Sequence, residues 1–308
     1  MGWLILKNSE APFKRGIGQR EVGWPAENED GVRLRPLSAN DVAAAHALST
    51  EVRWPHRLAD WEFAFSLGNG LAAERDGAVV GTALSWRWGT RYATLGMVIV
   101  SRRWRGRRIG QRLVQSLIAR LGSRTLVLYA TANGREIHER LGFAPAGEVR
   151  QHQGQAMQAP LVALDRGVRL RPASRSDAQP LAALDNLAPD MARGPLARRL
   201  LENRDVVVLD RDRDAEGFAV LRWFGRGQLI GPAIAPDLAG AKAFIARWIS
   251  LCAGKFIRVD VDAASGLSRW LKQLGLQCAG TPTRMVRGRN PQYCAKSVEY
   301  ALVRQVLG

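Results

Sequence analysis

Cysteine is scarce in this 308-residue chain, and the few that exist exclude a good deal. Cys252, Cys278 and Cys294 all fall in the second half, without CxxC spacing. That distribution argues against a disulfide framework or a zinc site, and reads as small buried hydrophobes in a reducing compartment. No cysteine precedes Cys252 and no serine-nucleophile motif is recognisable, so no covalent enzyme intermediate is implied. No stretch approaches the roughly 20 apolar residues of a membrane span. The opening MGWLILKNSE is too short an apolar run for a signal segment, and Leu6 stands where myristoylation wants Ser or Thr. Together these absences lead us to expect a soluble, cytoplasmic protein with no metal and no membrane partner.

Positive charge is abundant, with a formal net charge of +17. Such an excess suits a nucleic-acid binder, because neutralised phosphates release counterions. Here, however, arginine greatly outnumbers lysine along the whole chain and also falls on ordinary helix faces, as at Arg198 and Arg199. No familiar DNA- or RNA-binding motif accompanies it. A general compositional bias with solvated arginines explains the charge better than a nucleic-acid surface. With 46% hydrophobic content, the length predicts two domains of ordinary size.

Residues 1–30 mix Gly, Pro, Lys and Glu without sustained periodicity and predict a mobile arm. VRLRP then reads as a first strand stopped by Pro36, and Ser38 to Asp41 supply capping residues for an alanine-rich helix through Leu48. Trp54, Pro55 and His56 predict a loop, and Leu58 to Leu67 a helix. Leu71 to Arg75, a turn at Asp76-Gly77, and Val79 to Trp86 predict a hairpin.

The stretch from Thr94 to Phe143 carries the chemistry. It reads as a strand through Met97 to Val100, the turn RGRRIG, a helix with Leu113, Leu117 and Leu121 on one face, a strand over Thr125 to Tyr129, and a helix closed by Leu141-Gly142-Phe143. Helix-opening N–H groups lack intrahelical partners and the helix dipole favours negative charge there, so a strand feeding a helix through that turn makes an anion site. Arg105, Arg107 and Arg108 add charge around it. The segment therefore predicts a pyrophosphate site.

This order of elements resembles the acyl-CoA-binding half of the GNAT superfamily of N-acetyltransferases. The family turn usually carries Arg or Gln, two residues, Gly, one residue, then Gly or Ala. Arg105 and Gly110 match, and Arg108 stands where the first glycine is usual. The resemblance implies that acetyl-CoA is the cosubstrate and that the strand at Met97 splays from the next, leaving main-chain groups for the pantetheine arm. It assigns the cofactor to Met97, Val98, Val100, Arg105, Gly106, Arg107, Arg108, Ile109, Gly110, Gln111 and Thr131. Family members commonly carry a tyrosine four residues before Gly-Phe as the acid that protonates the leaving thiolate. Here His138 occupies that position, and it either donates this proton or packs against the cofactor tail. The resemblance also puts the helix pair around Trp54 to Leu67 beside the acceptor pocket. His56 and Asp60, with Glu74, become candidates to take the acceptor's proton, and Trp54, Trp61 and Trp86 to contact substrate, each also readable as local packing or capping.

The segment from Ala146 to Leu164 predicts the closing strands of a first domain. A second copy then begins, because Gly167-VRLRP repeats Gly31-VRLRP, and Ser38, Asp41 and Leu48 recur as Ser174, Asp177 and Leu184. The chemistry does not recur. PDLAGA replaces RGRRIG, and Leu271 stands opposite His138. This combination resembles the tandem GNAT proteins whose second half is degenerate. The expected fold class is α/β (α+β), with two GNAT-like domains at 31–165 and 166–308, each a mixed, mainly antiparallel sheet flanked by helices. The expected activity is acyl-CoA-dependent N-acyl transfer to an amine by direct attack, in a monomer or homodimer. The alternative is a CoA-binding or ligand-sensing pseudoenzyme.

Overall fold

The computed structural model describes residues 30–307 apart from 203, 204, 293, 295 and 296. The predicted arm lies outside the described residues except for Asp30. The first half runs β1 (Arg33–Pro36), α1 (Val42–Glu51), α2 (Leu58–Leu67), β2 (Asn69–Arg75), β3 (Ala78–Trp88), β4 (Tyr92–Val100), α3 (Ile109–Leu121), β5 (Thr125–Ala130), α4 (Ala132–Arg140) and β6 (Ala144–Gln155). The second half repeats it as β7 (Val168–Pro172), α5 (Ala178–Leu187), α6 (Gly194–Leu201), β8 (Val206–Arg211), β9 (Asp214–Phe224), β10 (Gly227–Ala235), α7 (Leu238–Leu251), β11 (Phe256–Asp262) and α8 (Leu267–Gln273). It ends with β12 (Gln277–Gly280), β13 (Thr283–Arg287) and β14 (Val298–Ala301).

The repeat is visible in side chains as well as in strands. Arg35 grips Asp41 with two bonds of 2.7 and 2.8 Å, and Asp41 accepts the Ser38 N–H at 2.7 Å. Arg171 grips Asp177 with bonds of 2.8 and 2.7 Å, and Asp177 accepts the Ser174 N–H at 2.6 Å. The arginine holds each carboxyl well below the usual carboxylate range. Each copy thus ties its first strand to its first helix by the same fork, whose planar geometry matches a carboxylate.

The strands form one continuous path, β1-β2-β3-β4-β5-β13-β6-β11-β14-β10-β9-β8-β7, with β12 beside β6. β6 does not close the first sheet alone. Its start pairs with β13, and its continuation, Val149 to Gln155, pairs with β11 and β12. In return β13, from the second half, fills the slot between β5 and β6. The expectation that residues after Phe143 close the first domain is corrected accordingly, because the two halves exchange strands. They also share a core. Leu37, Val42, Trp61, Trp86 and Met97 pack in one cluster with Leu181, Met191, Leu196, Phe218, Val303 and Leu307. Cys252 is buried, whereas Cys278 and Cys294 are only half-buried, and all three are free.

Candidate active site

β4 and β5 run parallel and pair from Tyr92↔Thr125 to Leu95↔Leu128, and there the pairing stops. Just beyond, β4 carries one more residue than β3 between Gly96 and Ile99, and Met97 takes a left-handed φ of 53°. The Thr82 hydroxyl donates to the Met97 carbonyl at 3.0 Å and fixes the bulge. From Met97 to Val100 the edge facing β5 has no strand partner among the described residues. An extended ligand with amide groups can satisfy such an edge as a guest strand.

The open edge leads into the arginine turn. Gly106 has φ 80° and Arg108 φ 56°, so both take the left-handed conformation that favours glycine. Arg108 is the N-cap of α3, and the first intrahelical bond runs from the Arg112 N–H to the Arg108 carbonyl at 3.0 Å. The N–H groups of Ile109, Gly110 and Gln111 precede that bond and point out of the helix end. Arg105, Gly106, Arg107 and Arg108 are exposed, and Arg107 stacks 4.7 Å from the Trp104 ring centroid. Val98 and Val100 stand half-buried on the same strand, and Thr131 caps α4 from the end of β5.

His138 is the one buried residue of α4 and meets Phe143 edge-on at 5.9 Å. Burial pulls its pKa below the ordinary histidine value, and its Nδ1 has no partner. At neutral pH the ring is therefore uncharged. The site supplies a neutral imidazole packed against Phe143, not a standing imidazolium.

The acceptor-side expectations fare differently. Trp61 and Trp86 are 0% exposed, and their indole N–H groups are satisfied by Ser49 Oγ at 3.1 Å and the Ala64 carbonyl at 2.8 Å. Both are core residues, with no surface to offer a substrate. Trp54 is half-buried and lies edge-on to His56 at 5.5 Å. Asp60 is no free base. It accepts the Arg57 N–H at 2.9 Å, the Arg57 guanidinium at 2.8 Å and the Gly225 N–H at 2.8 Å, so it caps α2 and bolts it to the β9–β10 turn. Burial works to raise its pKa, but the Arg57 bonds win and hold it low. Glu74 is likewise engaged, with Arg33 at 3.0 Å and with Arg35.

His56 is close to the open edge but already occupied. Arg304 Nη2 lies 3.4 Å from its Nε2. A guanidinium only donates, so Nε2 is the bare nitrogen, and the neutral ring carries its hydrogen on Nδ1. Burial, then the Arg304 charge, pushes its pKa well below the ordinary value. A proton acceptor is what this arrangement does not provide.

Sequence reasoning missed the chain's last described turn. Val306 packs onto Gly96, where a β-carbon would come within 2.5 Å of Val306 Cγ1, and Arg304 reaches the Met97 sulfur at 3.3 Å. No local pattern marks these residues, because their partners lie some 200 positions away.

Two family models match the chain, an acetyltransferase (GNAT) family over residues 40–143 and an acetyltransferase (GNAT) domain over residues 181–299. The chain belongs to the GNAT acetyltransferases. It carries two such domains in tandem, and this makes it a transferase enzyme. It is 27% identical over 224 residues to the uncharacterized N-acetyltransferase YitH of Bacillus subtilis (strain 168), covering 71% of this chain and 77% of that one. A Pyrococcus horikoshii structure provisionally described as an acetyltransferase superposes with a TM-score of 0.73 at 17% identity, covering 94% of this chain and all of that one. A GCN5-related N-acetyltransferase structure from Sphaerobacter thermophilus superposes with a TM-score of 0.63 at 14% identity, over 86% and 98% of the two chains. At these identities both show the fold alone. Among the described residues no helix is long and apolar enough to cross a membrane, and no cluster of three metal-ligating side chains occurs.

Proposed function

We propose that this enzyme moves an acetyl group from acetyl-CoA to an amine by direct attack, at a single site built by residues 31–165. The observation that carries the reading is the β4 edge left open beyond Leu95↔Leu128 and continuous with the unpaired N–H groups of α3. GNAT acetyltransferases generally use acetyl-CoA, which supplies the thioester. In this chain the Met97–Val100 backbone would hold the amide-bearing arm. The Ile109, Gly110 and Gln111 N–H groups, with Arg105, Arg107 and Arg108, would hold the pyrophosphate. His138 stabilises the departing sulfur through a neutral N–H, because burial keeps it uncharged.

Residues 166–308 read as the degenerate copy. Calorimetric titration with acetyl-CoA is expected to give one site per chain. Arg105→Glu together with Arg107→Glu is expected to weaken binding about tenfold or more, since two phosphate-facing charges reverse. Thiol release with an amine acceptor then reports turnover, and His138→Ala slows it without changing acetyl-CoA affinity. No binding at millimolar acetyl-CoA, or two equal sites, defeats the assignment.

A further inference from the structure

Where the two halves meet, three guanidinium groups surround the ring of Phe224. Arg304 lies 5.0 Å, Arg258 5.2 Å and Arg222 5.6 Å from its centroid, and His56 meets it edge-on at 5.5 Å. The two carboxylates nearby are already committed, Asp260 to Arg258 and Asp60 to Arg57, each through a bond of 2.8 Å. Arg222 donates to the Val303 carbonyl at 2.6 Å, and Arg304 donates to the Asp60 carbonyl at 2.9 Å. Neither makes a direct ion pair among the described residues, although the charges of Asp60 and Asp260 act on both.

The unmet groups all have one character. Arg222 Nε, Arg304 Nε and His56 Nδ1 are buried without partners. Each is an N–H donor, the last because Arg304 occupies the other ring nitrogen. Arg304 is 2% exposed, and burial followed by repulsion from Arg222 pulls its pKa down to about 9. Burial likewise brings Arg222 down to about 10. Surplus buried charge with unsatisfied donors is costly until an acceptor-only anion joins it. A cleft of about 160 Å³ opens beside Phe224 and Arg258 between the halves. On its other side the cluster touches the site, because Arg304 contacts the Met97 sulfur at the point where β4 opens.

We propose that this arginine cluster binds a carboxylate on the acyl acceptor, making the acceptor an amino acid or a similar amine that bears a carboxylate. The inference rests on the acyltransfer reading of the first half. Polycationic acceptors such as polyamines are repelled by the same charges. The cluster also disfavours a neighbouring ammonium and so raises the fraction of free amine, which removes the need for the base that His56 and Asp60 do not supply. The amine nitrogen then bonds to the thioester carbonyl carbon, the carbon–sulfur bond breaks with its electron pair leaving on sulfur, and the amine's surplus proton passes through water to that thiolate, which is released as CoA thiol.

The test follows thiol release from acetyl-CoA with each common L-amino acid, its primary amide, and spermidine. At least one amino acid is expected to exceed its amide in kcat/KM by about tenfold or more. Arg304→Gln and, separately, Arg222→Gln are expected to erase that preference mainly by raising KM, while acetyl-CoA affinity measured by calorimetry stays at the wild-type value and reports an intact fold. The N-acetyl-amino acids, as products, raise the melting temperature of the wild-type protein for at least one member, but not that of Arg304→Gln. Equal use of acid and amide, a preference for spermidine, or no thermal shift from any acetylated acid overturns the proposal. If acetyl-CoA binds but carboxylates confer nothing, only the acceptor assignment falls. If acetyl-CoA does not bind, the acyltransfer reading falls with it.

Discussion

The two halves build the same groove, and only one leaves it open. In the first, β4 and β5 part after Leu95↔Leu128 and no strand among the described residues pairs with β4 beyond that point on this edge. In the second, β10 and β11 pair from Gln228↔Ile257 to Ile230↔Val259 and then part in the same way. Here β14 fills the gap, pairing with β10 through Ala233↔Ala301 and Ile234↔Glu299 and with β11 through Val261↔Ala301. The chain's own strand thus satisfies the edge that a pantetheine arm would otherwise use. The helix ends differ in the same sense. α3 opens on arginines, whereas α7 opens on Asp237, whose carboxylate accepts the Gly240 N–H at 2.7 Å. A built-in anion already sits where the helix dipole would favour a phosphate.

The two copies therefore differ in what fills the groove, and the strand exchange at β6 and β13 ties the two halves together. β14 is held by more than its ladder. Glu299 on β14 bonds to Arg193 at 2.9 Å, and Arg193 also bonds to Asp185 at 2.8 Å; Arg193 and Asp185 are buried, and the Glu299 side chain is 5% exposed. Burial raises the pKa of both acids, so their charges depend on the arginine between them.

The largest effect is expected from breaking that plug. Arg193→Ala leaves two buried acids without their cation and costs about 3–5 kcal/mol. Urea unfolding measures the loss. Acetyl-CoA stoichiometry is expected to remain one per chain, because Asp237 still caps α7. A second acetyl-CoA site in this variant would mean that β14 alone closes the groove.

Local signals were legible in the sequence, and long-range assembly was not. The helix over Leu58–Leu67 and the hairpin of β2 and β3 follow from period and flanking residues, and the repeated Arg–Ser–Asp cap follows from matching motifs in sequence. The arginine turn was legible because its chemistry lies within six adjacent residues. β6 was misread because a twelve-residue strand crossing two sheets looks locally like a strand of one sheet. Trp61 and Trp86 stay open between substrate contact and packing in the sequence, because a tryptophan's residue type says nothing about which side of a helix or strand faces the core. The arginine cluster is assembled from positions 222, 258 and 304, with His56 beside it, so no window of sequence holds it. Asp237 ahead of a helix was a cap signal in plain view, and its meaning emerged only beside the open end of α3.

A smaller effect separates the two helix ends. Asp237→Ala removes the cap of α7 and is expected to cost about 1 kcal/mol, read from the unfolding midpoint, while leaving acetyl-CoA affinity unchanged. A change in that affinity would mean that the second groove contributes to cofactor binding. The smallest effect comes from Arg108, the one departure from glycine in the first copy's turn. Its left-handed φ of 56° is strained by about 1 kcal/mol, and glycine returns a similar amount in unfolded-chain entropy. Arg108→Gly is therefore expected to leave stability within about 0.5 kcal/mol of wild type. The variant keeps the peptide N–H and loses one exposed charge, worth about 0.5 kcal/mol beside an anion. Acetyl-CoA affinity accordingly falls about twofold at low salt, and the difference vanishes near 0.5 M salt, where exposed charges are screened. Tighter binding than wild type at either salt would show that the Arg108 side chain holds the backbone away from the phosphates, and that charge is not what this position contributes.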